Sequence, residues 1–201
     1  MPSLEVLELG DNKIRKIENL DGLNIRELYL AKNRIDKIEN LGGLKNLRLL
    51  SLQANFIHSI ENLDALVGLQ EIYISQNKIT QIENLNMLAK LEILDAALNQ
   101  VGKISCLDNA ILLRELWLND NKISDISDIK YLGRFKQLET IYLERNPIAS
   151  SPTYSSDVIA CVPWIQQIDS QYLKEKFTYT PMVDTNKEKA KSMMDKMLSN
   201  K

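Results

Sequence analysis

A short segment recurs along most of this 201-residue chain. Each copy carries an asparagine that is followed two positions later by Ile or Val, as in LYLAKNRI, LWLNDNKI and LDAALNQV. The asparagines are Asn12, Asn33, Asn55, Asn77, Asn99, Asn121 and Asn146, and their successive spacings are 21, 22, 22, 22, 22 and 25 residues. A unit this short cannot bury its own apolar residues, so neighbouring units must stack to form a continuous core. The repeat therefore predicts an elongated solenoid.

Apolar residues keep fixed positions around each asparagine. They stand eight, five and three positions before it and two after it; for Asn121 they are Leu113, Leu116, Leu118 and Ile123. This arrangement resembles the L-x-x-L-x-L-x-x-N-x-L pattern of leucine-rich repeats over about residues 4–170. The resemblance implies an α/β leucine-rich-repeat solenoid, with a curved parallel sheet on the concave face. Short 3₁₀ or irregular segments are then expected on the convex face, and a helical cap at the C-terminal end.

Two polar features of the repeat are interpreted as structural. Each repeat asparagine stands where the chain leaves its strand, so its amide can satisfy backbone groups that would otherwise be buried without a partner. The sequence IENL recurs at residues 17–20, 38–41, 60–63 and 82–85. We expect these segments to pack on the convex side as single 3₁₀ turns.

Irregularities in the repeat divide the chain into three regions. Residues 1–146 form seven repeats, in which the final 25-residue step predicts a longer helical turn. Pro147 then ends the rhythm, and residues 147–177 are predicted to form a C-terminal cap. The tail, residues 178–201, is either an amphipathic helix or disordered. Leu4 already holds the leading position of the first repeat, so we expect either that residues which would precede it are missing, or that self-association or an unusual arrangement shields this end.

Alternation along each strand identifies the side chains that point away from the core. Between the two core positions of each strand stand Glu8, Tyr29, Ser51, Tyr73, Asp95, Trp117 and Tyr142. Because strands lie ~4.8 Å apart, Tyr29 and Tyr142 are separated by roughly 24 Å. With the outward columns six and two positions before each asparagine, this face carries the acids Glu8, Glu27, Glu71, Asp95, Glu115 and Glu144, and no Lys or Arg.

This concave face has two interpretations. Aromatic residues favour strands in general, so Tyr29 or Tyr73 alone could reflect strand propensity. Four aromatics in one outward column, interleaved with acids, instead indicate a protein-binding face that selects a basic or mixed-charge partner. The predicted partner-binding residues are Glu8, Tyr29, Tyr73, Asp95, Glu115, Trp117, Tyr142 and Glu144.

Other function classes find little support in the sequence. The single histidine, His58, falls on the convex side, and there is no glycine-rich phosphate loop or paired-cysteine metal motif. We therefore predict no enzyme activity, no metal and no cofactor. Six concave acids would repel nucleic acid, and no apolar run approaches the ~20 residues that span a membrane. A non-catalytic, intracellular protein-binding scaffold is the prediction.

The later repeats carry more specific signatures. The segments LRELWLNDNKI, LETIYLERNPIASSPTY and VPWIQQID resemble the C-terminal half of the leucine-rich-repeat regulatory subunits of protein phosphatase 1. By position, the resemblance implies contacts to the phosphatase catalytic subunit from Glu8, Tyr29, Asp95, Glu115, Trp117 and Tyr142. It also implies residence in nucleus and cytoplasm, and further phosphatase inhibitor or regulator proteins as partners. Axonemal dynein and spliceosomal leucine-rich-repeat proteins share the repeat, so an adaptor for such a complex is the alternative.

Overall fold

Short strands, one per repeat, form a single nine-stranded sheet in the computed structural model, which describes residues 4–173. The repeats contribute Val6–Glu8 (β1), Glu27–Tyr29 (β2), Leu49–Ser51 (β3), Glu71–Tyr73 (β4), Ile93–Asp95 (β5), Glu115–Trp117 (β6) and Thr140–Tyr142 (β7). Gln167–Ile168 (β8) continues the parallel order, and Gln171–Tyr172 (β9) pairs with it antiparallel. Strand order equals chain order because each repeat contacts only its neighbours. The predicted tail, residues 178–201, lies outside the described residues.

The central residue of every repeat strand points into the core. Parallel pairing aligns these residues from Leu7 to Ile141. From Leu28 in β2 to Ile141 in β7 they are fully buried. This burial confirms the strand phase that was predicted from the apolar spacing.

The repeat asparagines form a buried ladder that joins successive repeats. The Asn55 amide nitrogen donates to the carbonyls of Leu52 in its own repeat and Leu30 in the repeat before, both at 3.0 Å. Its side-chain oxygen accepts from the Ile35 N–H at 2.9 Å. The same pattern recurs at Asn77, Asn99 and Asn121. Each amide thus satisfies buried backbone groups of two repeats, as predicted.

The IENL segments are not 3₁₀ turns, so that expectation was wrong. In each, the asparagine adopts a left-handed conformation, with φ of 60° at Asn19, 57° at Asn40, 59° at Asn62 and 58° at Asn84. Asparagine tolerates this conformation better than most residues. The Asn40 amide donates to the Ile17 carbonyl of the preceding repeat at 2.7 Å, and Asn62 and Asn84 do the same one repeat further on. The convex segments are therefore irregular and hydrogen bonded between repeats.

Helices appear only near the C-terminal end of the described residues. Ile126–Leu132 (α1) occupies the long 25-residue step, and the Asp125 carboxylate caps it by accepting from the Ser127 N–H at 2.8 Å. A 3₁₀ turn, Pro147–Ser150, follows the last repeat asparagine, and Tyr154–Cys161 (α2) packs over the open end. Buried apolar residues of this segment, Val158, Val162, Ile165 and Ile168, cover the last repeat. The helical cap expected from the sequence is present.

Candidate protein-binding face

The concave face is an unbroken row of outward side chains. The strand register places Glu8 beside Tyr29, and the row continues through Ser51, Tyr73, Asp95 and Trp117 to Tyr142. The neighbouring row holds Glu27, Leu49, Glu71, Ile93, Glu115 and Thr140 in the same register. Seven of the eight residues predicted from the sequence to bind a partner lie in these two rows, and the eighth, Glu144, follows β7 by two positions.

Two tyrosines on this face are each held by a carboxylate of the same strand. The Tyr29 hydroxyl donates to Glu27 Oε2 at 2.8 Å, and the Tyr73 hydroxyl donates to Glu71 Oε2 at 2.7 Å. The bond to Glu27, reinforced by burial, raises the pKa of Tyr29 to about 12. Burial, followed by the bond to Glu71, also raises the pKa of Tyr73 well above its ordinary value. Both hydroxyls stay protonated at neutral pH and hold the carboxylates in place.

A notch separates the two tyrosines where the row carries the small Ser51. Its open volume is about 600 Å³, and its lining is Tyr29, Ala31, Lys32, Leu49, Ser51, Gln53, Ala54, Tyr73, Ser75 and Gln76. The Ser51 hydroxyl donates to the Gln53 side-chain oxygen at 2.5 Å, Leu49 adds an apolar surface, and Lys32 is the one charged residue of the lining. Two Tyr–Glu pairs therefore flank a recess that could receive one protruding partner side chain.

Asp95 places a carboxylate in the middle of the face at low exposure. Only 6% of the residue is accessible to solvent. The Ser75 hydroxyl donates to Asp95 Oδ2 at 2.7 Å, and the Ala97 N–H donates to Oδ1 at 3.0 Å. Burial nevertheless raises the pKa of Asp95 above its ordinary value, because desolvation outweighs those two bonds. The protein thus keeps a partly desolvated charge on this surface.

Trp117 and Tyr142 form an aromatic pair at the C-terminal end of the row. Their ring centroids lie 5.8 Å apart with planes inclined by 68°, the edge-to-face arrangement that aromatic rings favour. Trp117 Nε1 is buried and has no acceptor among the described residues. The Gln167 amide, from the cap, donates to the Tyr142 hydroxyl at 2.5 Å. The cap therefore fixes one half of the pair.

The remaining acids predicted to bind a partner differ in the groups of the protein that their carboxylates already contact. Glu8 Oε1 accepts from the Gly10 N–H at 2.7 Å. Glu115 is half-buried in β6, and its charge contributes to the raised pKa of Tyr73. Glu144 instead lies 2.8 Å from Arg145 Nη1, and the same guanidinium binds Asp120. The acidic field is therefore partly neutralised at the last repeat.

Two contributors to the face escaped the sequence analysis. Arg145 stands one position beyond the columns that were read, so its proximity to Glu144 was not anticipated. Tyr172 of β9 pairs directly with Gln167, and directly opposed residues of an antiparallel pair share a face. Tyr172 is 68% exposed and adds a fifth aromatic beside Thr140 and Gln167. Its position depends on the reversal of chain direction after β8, which the repeat spacing does not predict.

Within residues 4–173, no three His, Cys, Asp or Glu side chains come together in a way that could hold a metal ion. No helix of that region has the length and apolar character needed to cross a membrane.

Comparison with known proteins agrees with the repeat architecture. The family model described as "Leucine-rich repeat" matches residues 48–197, and the model "Leucine Rich repeats (2 copies)" matches residues 23–65. Over 39 residues the chain is 45% identical to protein phosphatase 1 regulatory subunit 7 of Mus musculus and 43% identical to that of Danio rerio. Each match covers 19% of this chain but only 11% of the relative.

Solved structures resemble most of the chain. An internalin of Listeria monocytogenes gives a TM-score of 0.69 at 27% identity, covering 83% of this chain and 47% of its own. A leucine-rich-repeat protein of Leptospira interrogans gives 0.68 at 25% identity, covering 82% and 48%. Internalin C2 of Listeria monocytogenes gives 0.66 at 32% identity, covering 77% and 67%. With a family model that spans most of its length and the repeat geometry to match, this chain belongs to the leucine-rich-repeat family, as a protein-binding scaffold.

Proposed function

We propose that this protein is a regulatory subunit that binds the catalytic subunit of protein phosphatase 1 through its concave face. The observation that carries the proposal is the row of aromatic side chains in register with carboxylates, from Tyr29 to Tyr142. The names of the two curated relatives support the choice of partner, although each match is confined to 39 residues. The chemistry would belong to the partner, and binding would take place in the nucleus and cytoplasm.

The face favours a partner surface of basic or mixed charge. Its acids Glu27, Glu71 and Glu115 stand in one row, and the adjacent aromatic row carries Asp95. Such a field accelerates association with a positive surface and disfavours acidic competitors. The aromatic side chains then supply contact area, because rigid Tyr and Trp residues dominate the energy of many interfaces.

The notch between Tyr29 and Tyr73 suits a lysine or arginine side chain of the partner. An inserted aliphatic stem would contact Leu49 and Ser51 on the floor. Its charged head would lie between two aromatic rings, each bonded to a carboxylate. Cation–π contacts and ion pairing would act on the same group, and both strengthen when water is displaced.

Calorimetric titration with the purified type 1 phosphatase catalytic subunit tests the proposal. Wild type, Trp117→Ala and Ile111→Ala would be compared. Ile111 is a matched apolar control, because it is 63% exposed and stands outside the concave strands. We expect Trp117→Ala to weaken binding by about 2 kcal/mol, roughly 30-fold in Kd, because a large aromatic anchor is lost. Ile111→Ala should bind like wild type.

The possible outcomes distinguish an error in the assigned partner from an error in the assigned binding surface. Absence of binding by folded wild type would overturn the assignment of the partner. In that case an adaptor for a dynein or spliceosomal complex would be the next candidate. Equal losses in both variants would overturn the concave face as the site, since Ile111 does not contribute to it.

A further inference from the structure

A second regular row of side chains lies outside the concave face, one position after each of the first six repeat asparagines. We define this row as the basic rim; its members are Lys13, Arg34, Phe56, Lys78, Gln100 and Lys122. The backbone N–H of each member from Arg34 to Lys122 donates to a carbonyl of the preceding repeat, in every case at 2.8 Å. Because these bonds join successive repeats, the members are spaced like the strands, ~4.8 Å apart. Five such spacings give the row a length of roughly 24 Å.

The cations of the basic rim are exposed and available. Lys13, Arg34, Lys78 and Lys122 all point to solvent. None forms an ion pair with another residue of the described region 4–173. Lys122 Nζ instead donates to the Gln100 side-chain oxygen at 3.3 Å. Aligned charges of one sign that lack counter-charges create an additive field.

An exposed aromatic interrupts the row of charges. Phe56 is 46% exposed, although its repeat offers a buried core immediately beside it at Ile57. The Lys78 ammonium lies 5.1 Å from the centroid of the Phe56 ring. A depression of about 600 Å³ beside the ring has as its lining Asp11, Asn12, Lys13, Lys32, Asn33, Arg34, Ala54 and Phe56. Three cations and one acid therefore surround an apolar contact point.

We propose that the basic rim binds an acidic peptide segment of a partner protein, with one apolar side chain of that segment resting on Phe56. Alternating acidic residues of the segment would face the cations on either side of the ring. An extended chain advances ~3.3 Å per residue, so about seven residues follow the whole rim. This surface carries the opposite charge to the concave face and would act independently of it.

Nucleic acid fits the same surface less well. Single strands are held by several aromatic side chains on which successive bases stack, whereas the basic rim offers Phe56 alone. The basic rim therefore favours a short acidic peptide segment over a single-stranded nucleic acid.

Fluorescence anisotropy can test this inference with a labelled peptide of about nine residues, in which glutamates flank a central leucine. Comparison ligands are the same peptide with serine replacing leucine, and an oligothymidylate of similar length. The variants are Phe56→Ala and the double change Arg34→Glu with Lys78→Glu. The matched control is Lys45→Glu with Lys90→Glu, which alters cations that line a depression at the other end of the strands.

We expect the double rim variant to weaken peptide binding about tenfold, because two favourable charges become repulsive. Phe56→Ala and the serine peptide should each lose about fivefold through the apolar contact. Raising the salt from about 50 to about 200 mM should weaken the wild-type complex, since surface charges are screened. The Lys45→Glu with Lys90→Glu control should bind within about twofold of wild type.

Three results would overturn the proposal: no binding of the leucine peptide by folded wild type, equal weakening by the Lys45 and Lys90 control, or tighter binding of oligothymidylate. The peptide site and the phosphatase site can also be distinguished. Trp117→Ala should bind the peptide normally, and the double rim variant should bind the phosphatase normally. If either variant lost binding of both the peptide and the phosphatase, the basic rim and the concave face would form a single binding site.

Discussion

The interior of the solenoid and its concave face are formed by alternate residues of the same strands. The interior residues hardly change along the chain, whereas the concave residues change from repeat to repeat. From β2 to β7 the central strand residue is always Leu or Ile and always fully buried. The outward residue beside it changes at every step, through Tyr, Ser, Tyr, Asp, Trp and Tyr. Stacking requires neighbouring interior layers of matching shape, whereas the outward row has no such requirement. Stability is therefore spread over the repeats, and under the proposed function recognition depends on a few positions of the outward row.

The largest expected effect is on the interior side of this comparison. Leu116→Ala removes a fully buried side chain between two packed repeats. We expect the free energy of unfolding to fall by about 2 to 5 kcal/mol, because a cavity is left that the neighbours fill only in part. Urea denaturation followed by circular dichroism measures it. A loss below about 1 kcal/mol would mean that the interior layers are less tightly packed than the burial indicates.

The asparagine ladder should give the next effect. Asn99→Ala leaves the Ile79 N–H without its acceptor and removes donors to the carbonyls of Ile74 and Ala96. The expected cost is about 2 to 3 kcal/mol, because buried backbone groups lose their partners. The exposed Asn24, whose side chain accepts only from Asn46 among residues 4–173, provides the control. If Asn24→Ala costs as much in the same denaturation assay, the ladder has no special role.

Trp117→Ala sharpens the comparison at the residue next to Leu116. Loss of the edge-to-face contact with Tyr142 should reduce stability by only about 1 to 1.5 kcal/mol. Unfolding should remain cooperative, since the side chain lies outside the interior layers. Both variants can be measured in one urea series. If Trp117→Ala lowered the free energy of unfolding as much as Leu116→Ala, this indole would belong to the core. The distinction between interior and concave strand residues would then fail.

Asp95→Asn should have the smallest effect on stability, and of opposite sign. Because burial raises the pKa of Asp95 in the folded protein, its stabilising contribution is present below the unfolded pKa and is lost as pH rises through the folded value. At neutral pH the wild type therefore carries a cost that asparagine removes. Asparagine can still accept from the Ala97 N–H and donate to Ser75.

Thermal unfolding of both proteins from about pH 4 to pH 8 checks this expectation. The difference between variant and wild type should grow in favour of the variant as pH rises. Under the proposed function, the same change should weaken phosphatase binding, because the central charge of the face is lost. A variant less stable than wild type at pH 7 would show that the two hydrogen bonds to the carboxylate outweigh its desolvation.

Much of the fold was predictable because the repeat is local. The spacing of Leu113, Leu116 and Leu118 from Asn121 is sufficient to assign a strand, a buried face and a turn. The outward columns follow from strand alternation alone. The prediction of 3₁₀ turns in the IENL segments was wrong because Asn40 and its equivalents use a left-handed backbone, stabilised by a carbonyl of the preceding repeat.

The sequence by itself determined the solenoid, the phase of its strands and the acidic, aromatic character of the concave rows, since all three depend on positions within one repeat. Only the tertiary structure decided how those side chains meet. The Trp117 and Tyr142 contact, the desolvation of Asp95 and the addition of Tyr172 each depend on distances between residues of different repeats or of the cap. Those distances follow from packing between neighbours, which a repeat period does not specify.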